Sequence, residues 1–291
     1  MKPLARTVAA CPACHAPLQW PDAPARAECS ACGRVYAVAQ GAAWLHLDAA
    51  GAPVTPALPQ PAPQTGALRR AWSKAPQPNF AFKTAASRGR IPAFVQQQGP
   101  DAVILNLGSG RTDFGPRVVN LDIAPYAHVD IVAVGERLPV ADTCLDAVIT
   151  QGVLEHVPDL RATLAEIDRV LRPGGLVYHE APFVQGFHAS PNDFRRFTAV
   201  GMRELAPGYA VQAQGVAVGP SSALMWIASE WLALCFSLGN PTLLKAGRRL
   251  FPWLLSPLKW LDAWLERHPR AELIASAFYL VARKPDGSSE H

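Results

Sequence analysis

The sequence is poor in charge and has no long apolar run. Only 17% of its 291 residues are charged, and 27 Lys and Arg against 23 Asp and Glu leave a formal charge of +4. A bias that mild does not by itself point to nucleic acid. No segment reaches the roughly 18 uninterrupted apolar residues of a membrane span. The longest candidate, residues 223–238, is broken by Ser229 and Glu230. The first ten residues lack the apolar core of a secretory signal. The 28 Pro and 21 Gly follow no triplet period, which excludes a collagen. A cytoplasmic location is therefore expected, with the six Cys as reduced thiols or metal ligands rather than disulfides. What is present is apolar: 49% of the chain, too much for a disordered protein. That amount suits one full-sized domain and a small extra one.

Composition divides the chain into three zones. Residues 1–48 hold four of the six Cys. Residues 49–66, with Pro53, Pro56, Pro59, Pro61 and Pro63, read as a semi-rigid linker. Residues 67–291 alternate strand and helix patterns. Strands are expected at 103–107, 118–122, 146–150, 176–180, 211–218 and 273–282, and a helical lead-in at 80–98. A helix over 160–171 would have Asp159 as N-cap and Leu160, Leu164, Ile167 and Leu171 as its apolar stripe. Alternation of this kind predicts an α/β fold with a mostly parallel sheet.

Cys11-Pro-Ala-Cys14 and Cys29-Ser-Ala-Cys32 form two CxxC knuckles. Two knuckles supply the four soft ligands of a tetrahedral zinc, and four thiolates leave no position for substrate, so a structural role is expected. Cys144 and Cys235 stand alone and read as core thiols. With Tyr36, Val38 and Gly41, the knuckles resemble the bacterial zinc-ribbon proteins related to the small activator subunit of methyltransferases.

Leu105-Asn-Leu-Gly-Ser-Gly110 places two glycines directly after an apolar strand, where the backbone can approach a ligand closely. Asp122 ends the next strand, and an acid there can accept two ribose hydroxyls. No Gly-Lys-Ser/Thr follows, and position 113 is Asp, so neither a P-loop nor a GxGxxG dinucleotide turn is present. This turn, Asp122, Leu138-Pro139, Leu145 to Val148, Val153-Leu-Glu-His-Val157 and Glu166 through Gly175 together resemble class I S-adenosylmethionine-dependent methyltransferases. The resemblance implies a Rossmann-like sheet, an enzyme and S-adenosylmethionine as cofactor. Gly108, Ser109 and Gly110 would lie along its methionine and ribose part, and Asp122 would hold the ribose. Glu136 and Leu138 would flank the adenine, and Gln151 would face cofactor or acceptor. Val134 stands where the family often has an acid for the adenine amino group, leaving that contact to the backbone or Glu136. Only residues 111–117 separate the glycine turn from the next strand, too few for a helical crossover. The first half of the sheet is therefore expected to be trimmed.

Ligands of such folds bind beyond the carboxyl ends of strands. The segment after residue 180 carries His188, Asp193, Arg196 and Thr198, and resembles a bacterial subset of these methyltransferases. His188 is the expected general base, with Asp193 orienting it. Alternatively, Asp193 and Arg196 pin the loop and Thr198 caps the next helix. Glu155 and His156 read as local capping residues.

Residues 221–270 form a helical insert before the last strand, with five of the eight Trp and, over 240–270, six basic against two acidic residues. Lys259, Asp262 and Glu266 are expected on one polar face. Trp beside basic residues on amphipathic helices suits a membrane interface. A helical cap or a homodimer contact would use the same side chains. Three readings stand together: methyl transfer to a small or lipid-linked acceptor, peripheral on the inner face of the membrane; an RNA methyltransferase with the ribbon as docking module; and an inactive scaffold. Residues 1–48 hold only Lys2, Arg6, Arg26 and Arg34 as bases, which disfavours RNA.

Overall fold

The computed structural model describes residues 1–21, 26–48, 50–54 and 81–287. The chain opens with α1 (Pro3–Val8), entered through a proline in its first turn. An antiparallel meander follows: β1 (Leu18–Gln19), β2 (Arg26–Cys29), β3 (Val35–Ala39) and β4 (Ala42–Trp44). α2 (Arg90–Gln97) leads into β5 (Ile104–Leu107), β6 (Val118–Asp122) and β7 (Ile131–Val132), all buried at every residue. Such short, wholly buried and mainly apolar runs suit a sheet covered on both faces. β8 (Leu145–Gln151), α3 (Leu160–Val170) and β9 (Leu171–Pro182) form a parallel crossover unit. β10 (Ala210–Val218), the helices α4 (Pro220–Ser237), α5 (Pro241–Leu255) and α6 (Asp262–Leu265), and β11 (Ala277–Arg283) complete the chain.

The strands make one sheet in the order β1-β2-β3-β4-β7-β6-β5-β8-β9-β11-β10. The segment from β4 to β9 is parallel, and β10 and β11 form an antiparallel pair at one end. The cysteine-bearing region is built into this sheet. β4 pairs with β7 (Ala43 with Ile131, Trp44 with Val132), and Ala10 N–H donates to Pro139 O at 3.0 Å. Ala5, Val8, Tyr36 and Leu45 share one core with Leu105, Leu121 and Ile131. Of the expected linker, only 50–54 lie within the described residues; they fold back on Leu47, with Ala50 and Ala52 N–H on the Asp48 carboxylate. Its remainder, like the start of the following zone, lies outside them.

The trimmed half of the sheet takes an unusual form. β5 and β6 are joined without a helix, and polar side chains occupy the side where one would lie. Asn106 donates to Asn120 at 3.2 Å, Asn120 donates to Asp113, and the Asp130 carboxylate accepts from Asn120 N–H and Lys2 N–H. Each of these buried groups finds a partner, as burial requires.

Three local expectations shift. The lead-in over 80–98 is helical only from Arg90. In α3, Asp159 caps Ala162 N–H at 3.0 Å as expected; of the expected stripe Ile167 and Leu171 are buried and Leu160 and Leu164 pack half-buried against the core, while Thr163 and Val170 are buried beside them. Thr163 can turn inward because its hydroxyl donates to Asp159 O, and it packs against Gly135, where a Cβ would meet it at 3.1 Å. Asp262 is buried rather than on a polar face. Its carboxylate accepts Ser221 N–H (2.7 Å), Ser222 N–H (2.9 Å) and the Ser222 hydroxyl (2.7 Å). A carboxylate there meets the unpaired amides and positive dipole end of α4. A Cβ at Gly219 would overlap that carboxylate at 2.4 Å.

Candidate functional site

The chain runs from β5 outward through β6 and β7, then returns to the far side of β5 as β8. The crevice beyond the carboxyl ends of β5 and β8 is therefore a switch point, where ligands of open α/β sheets bind. A cavity of about 580 Å³ lies there, lined by Gly108, Gly110, Asp122, Val134, Glu136, Val153 and His156 among others. Its size suits a small molecule. Among the described residues, no Lys or Arg lines it.

The glycine turn is shaped by sterics. Gly108 has φ +68° and Gly110 φ +54°. A Cβ on Gly108 would stand 2.2 Å from Val153 Cγ2. Gly108 and Ser109 N–H both donate to Leu121 O, which ties the turn to the end of β6. Asp122 faces the turn. Its Oδ2 accepts Gly110 N–H at 2.8 Å and its Oδ1 accepts Ala124 N–H at 2.9 Å, so each oxygen keeps a further lone pair for a ligand. Glu136 lines the cavity with its Oε1 buried and unpartnered, and the Ser109 hydroxyl is likewise buried without a partner. Such atoms are costly unless something completes them.

Three expected contacts fall outside the lining: Ser109, Leu138 and Gln151. Leu138 is fully buried in the core and absent from the lining; its N–H donates to Glu166. Arg169 spans Glu166, Leu138 O and Val140 O, clamping the loop that carries Glu136. Gln151 donates to Glu180, which also pairs with Lys83 and accepts from Tyr178, away from the lining.

On the acceptor side, Asp193 accepts His188 N–H at 2.8 Å and the Arg196 guanidinium at both oxygens. That guanidinium holds the Asp193 carboxyl well below the usual carboxylate range. Thr198 caps the following turn by accepting Gly201 N–H. The His188 ring places Nδ1 on Gly186 O at 2.8 Å and Nε2 3.8 Å from Glu155 Oε1. The facing Glu155 carboxylate raises the His188 pKa, against the opposing effect of burial. His156 lies edge-on to His188 at 5.1 Å, and Trp226 of α4 packs on the same ring at 5.2 Å. Glu155 and His156 thus belong to the site rather than to a helix cap. Nothing in their spacing announced this; His188 reaches them across more than thirty residues.

The four ribbon cysteines converge: ligand atoms of Cys11, Cys14, Cys29 and Cys32 lie within 4.8 Å of one another. Tyr36 approaches Cys11 Sγ at 3.1 Å from within the core. Of the remaining cysteines, Cys144 is half-buried, whereas Cys235 is exposed and not a core thiol.

The insert is built inside out. On α4 the buried positions are mostly small, including Ser222, Ser229, Ala233 and Ser237, and Gly247 of α5 approaches Ala233 closely. Leu224, Ile227, Trp231, Leu234 and Leu238, spaced three and four apart, are 41–88% exposed. Trp253, Leu254, Trp260 and Trp264 add to this exposed apolar surface. No described helix is long and apolar enough to cross a membrane.

Parts of the chain are similar to known proteins. Residues 106–179 match the family described as "Methyltransferase domain". A Serratia marcescens protein named malonyl-[acyl-carrier protein] O-methyltransferase is 33% identical over 95 residues, which are 27% of this chain and 37% of that protein. The chain thus spans little more than a third of that curated relative. Among solved structures, the Burkholderia thailandensis 1,6-didemethyltoxoflavin-N1-methyltransferase is 16% identical with TM-score 0.41, covering 75% of this chain and 82% of its own. A SAM-dependent methyltransferase from Archaeoglobus fulgidus is 13% identical with TM-score 0.42, covering 68% and 92%.

Proposed function

The chain carries a class I methyltransferase domain, and from that premise we propose that it transfers a methyl group from S-adenosylmethionine to an amphipathic acceptor at a membrane surface. The observation that carries the reaction is the Gly108–Asp122 turn opening on the switch-point cavity. Bound there, S-adenosylmethionine supplies an electrophilic methyl group on a sulfonium. Asp122 would hold the ribose hydroxyls with the lone pairs its two backbone donors leave free, and Glu136 would turn its unpartnered oxygen to an amino group. The acids Asp122 and Glu136, with no Lys or Arg among the described lining residues, suit a cationic ligand. The Glu155–His156–His188 cluster borders the acceptor and is where its proton would be lost, with Asp193 and Arg196 pinning the His188 loop. Cys11, Cys14, Cys29 and Cys32 would hold a structural zinc, with no position open to substrate.

The insert supports a lipid surface as the source of the acceptor. A soluble helix normally buries its large apolar residues, and α4 buries small ones while leaving a continuous leucine and tryptophan stripe outside. Trp rings and leucines with basic neighbours suit the headgroup boundary. Arg248 pairs with Glu230, so Lys245 is the more available cation on α5. Trp226 links α4 to the His188 ring, which joins the apolar surface to the site. The Serratia marcescens relative is an O-methyltransferase by name, which makes oxygen a reasonable acceptor atom.

Two measurements test this. Calorimetric titration should show S-adenosylmethionine binding, and its absence in the folded protein overturns the reaction. Labelled methyl transfer should then enter a lipid extract offered in anionic vesicles. Label found only in RNA or in the soluble fraction overturns the acceptor.

A further inference from the structure

Glu155 is 1% exposed, and its Oε2 has no hydrogen-bond partner. A buried carboxylate of this kind is strongly unfavourable unless a cation compensates it. Arg196, the nearby guanidinium, already holds both oxygens of Asp193. What faces Glu155 instead is a pair of imidazoles. His156 Nε2 lies 3.7 Å and His188 Nε2 3.8 Å from Glu155 Oε1, and the three ligand atoms lie within 4.8 Å of one another.

The far side of each ring decides its tautomer. His156 Nδ1 sits 2.5 Å from Asn192 O, and His188 Nδ1 sits 2.8 Å from Gly186 O. A carbonyl oxygen only accepts, so in both neutral rings the hydrogen is on Nδ1 and Nε2 presents a bare lone pair. With both rings neutral, two lone pairs and a carboxylate converge with no proton between them, an arrangement that a cation, either a proton on His188 or a metal ion, would complete. Backbone carbonyls on the second ring nitrogen are how proteins orient metal-binding histidines. A tetrahedral ion with bonds of about 2.0–2.1 Å would set its ligand atoms roughly 3.3 Å apart, a few tenths of an ångström closer than the 3.7 and 3.8 Å between Glu155 Oε1 and the two imidazole nitrogens.

We propose that Glu155, His156 and His188 bind a divalent transition-metal cation of the zinc class, separate from the cysteine quartet. Three protein ligands leave at least one position open, and His156 and Asn192 also line the cavity. An oxygen of the acceptor, as hydroxyl or carboxylate, would complete the coordination. Only that last step rests on the methyl-transfer reading. A metal here makes His188 a ligand rather than a free base.

The test uses the untagged full-length chain, stripped with a chelator and titrated with cobalt(II). About two equivalents should bind. One should show intense thiolate-to-cobalt charge transfer, the other only weak ligand-field bands of a nitrogen and oxygen site. Glu155→Gln and His188→Gln should each weaken the second equivalent at least tenfold and leave the thiolate bands intact. Circular dichroism on each variant checks folding, and His188, on a surface loop, serves if Glu155→Gln fails to fold. A single equivalent with thiolate bands alone, or a second equivalent unchanged in both variants, overturns the proposal. S-adenosylmethionine titration of the same samples reads the functional assignment independently of the metal count.

Discussion

Gly108→Ala tests the site at its tightest point. The new methyl carbon would sit 2.2 Å from Val153 Cγ2 and 2.8 Å from Cγ1, where carbon atoms prefer about 3.5–4.0 Å. Val153 would have to leave its position or the end of β5 would have to move. Overpacking of this kind costs about 1–3 kcal/mol. The φ of +68° adds about 1–2 kcal/mol for any residue with a Cβ. The sum is about 2–5 kcal/mol. Both residues line the cavity, so a displaced Val153 also narrows it. Val153→Ala removes both clashing carbons. The double variant should therefore keep the backbone penalty and a residual contact with the position-153 Cβ at 3.1 Å, and recover most of the about 1–3 kcal/mol of overpacking, a coupling proper to residues in contact. Urea unfolding gives the stability part of the cycle, and titration with S-adenosylhomocysteine gives the binding part. If Gly108→Ala binds within twofold of the parent, or if Val153→Ala adds to the loss instead of relieving it, the steric account of this turn is wrong.

Asp122→Asn keeps the size but must aim an N–H at the Gly110 or the Ala124 amide; S-adenosylmethionine affinity should fall at least about tenfold, or about 1.4 kcal/mol, by calorimetry. Cys29→Ser should release the ribbon metal, measurable by elemental analysis. Because β4 pairs with β7, it should also lower the unfolding midpoint of the whole chain instead of melting a separate unit. His179 is fully buried beside Thr150, and burial pushes its pKa down to about 4. Its unfolded form takes up a proton first, so stability should fall as pH drops from about 6.5 toward 4, by at most about 3 kcal/mol; urea midpoints that do not change with pH in this window would contradict it. Trp231→Ala with Leu234→Ala should reduce sedimentation with anionic vesicles several-fold while cofactor affinity stays constant, since neither lines the cavity.

The central strands were legible in the sequence because their cause is local. Val118, Val119 and Leu121 make residues 118–122 apolar at three of five positions, and β6 spans just these residues. Asp159 as N-cap needed only its place before a helical pattern. The glycine turn and Asp122 were legible too, because an abrupt pair of glycines after a buried strand has few uses. The CxxC knuckles carried their geometry in their spacing, and all four sulfurs meet.

What depended on distant partners could only be read in three dimensions. Thr163 outranked Leu164 for the core because Gly135 left room for it and Asp159 O satisfied its hydroxyl. Asp262 left the polar face because the α4 amides needed an acceptor there. Glu155 and His156, unremarkable in sequence, became part of the site when the loop carrying His188 folded onto them. The ribbon joined the sheet because β7 had a free edge and β4 met it in register. Sequence by itself determined the strands, caps and turns whose energies are settled within a few residues. Tertiary structure alone decided the burial of Glu155, the outward face of α4 and the continuity of the sheet, because each depends on atoms brought together from far along the chain.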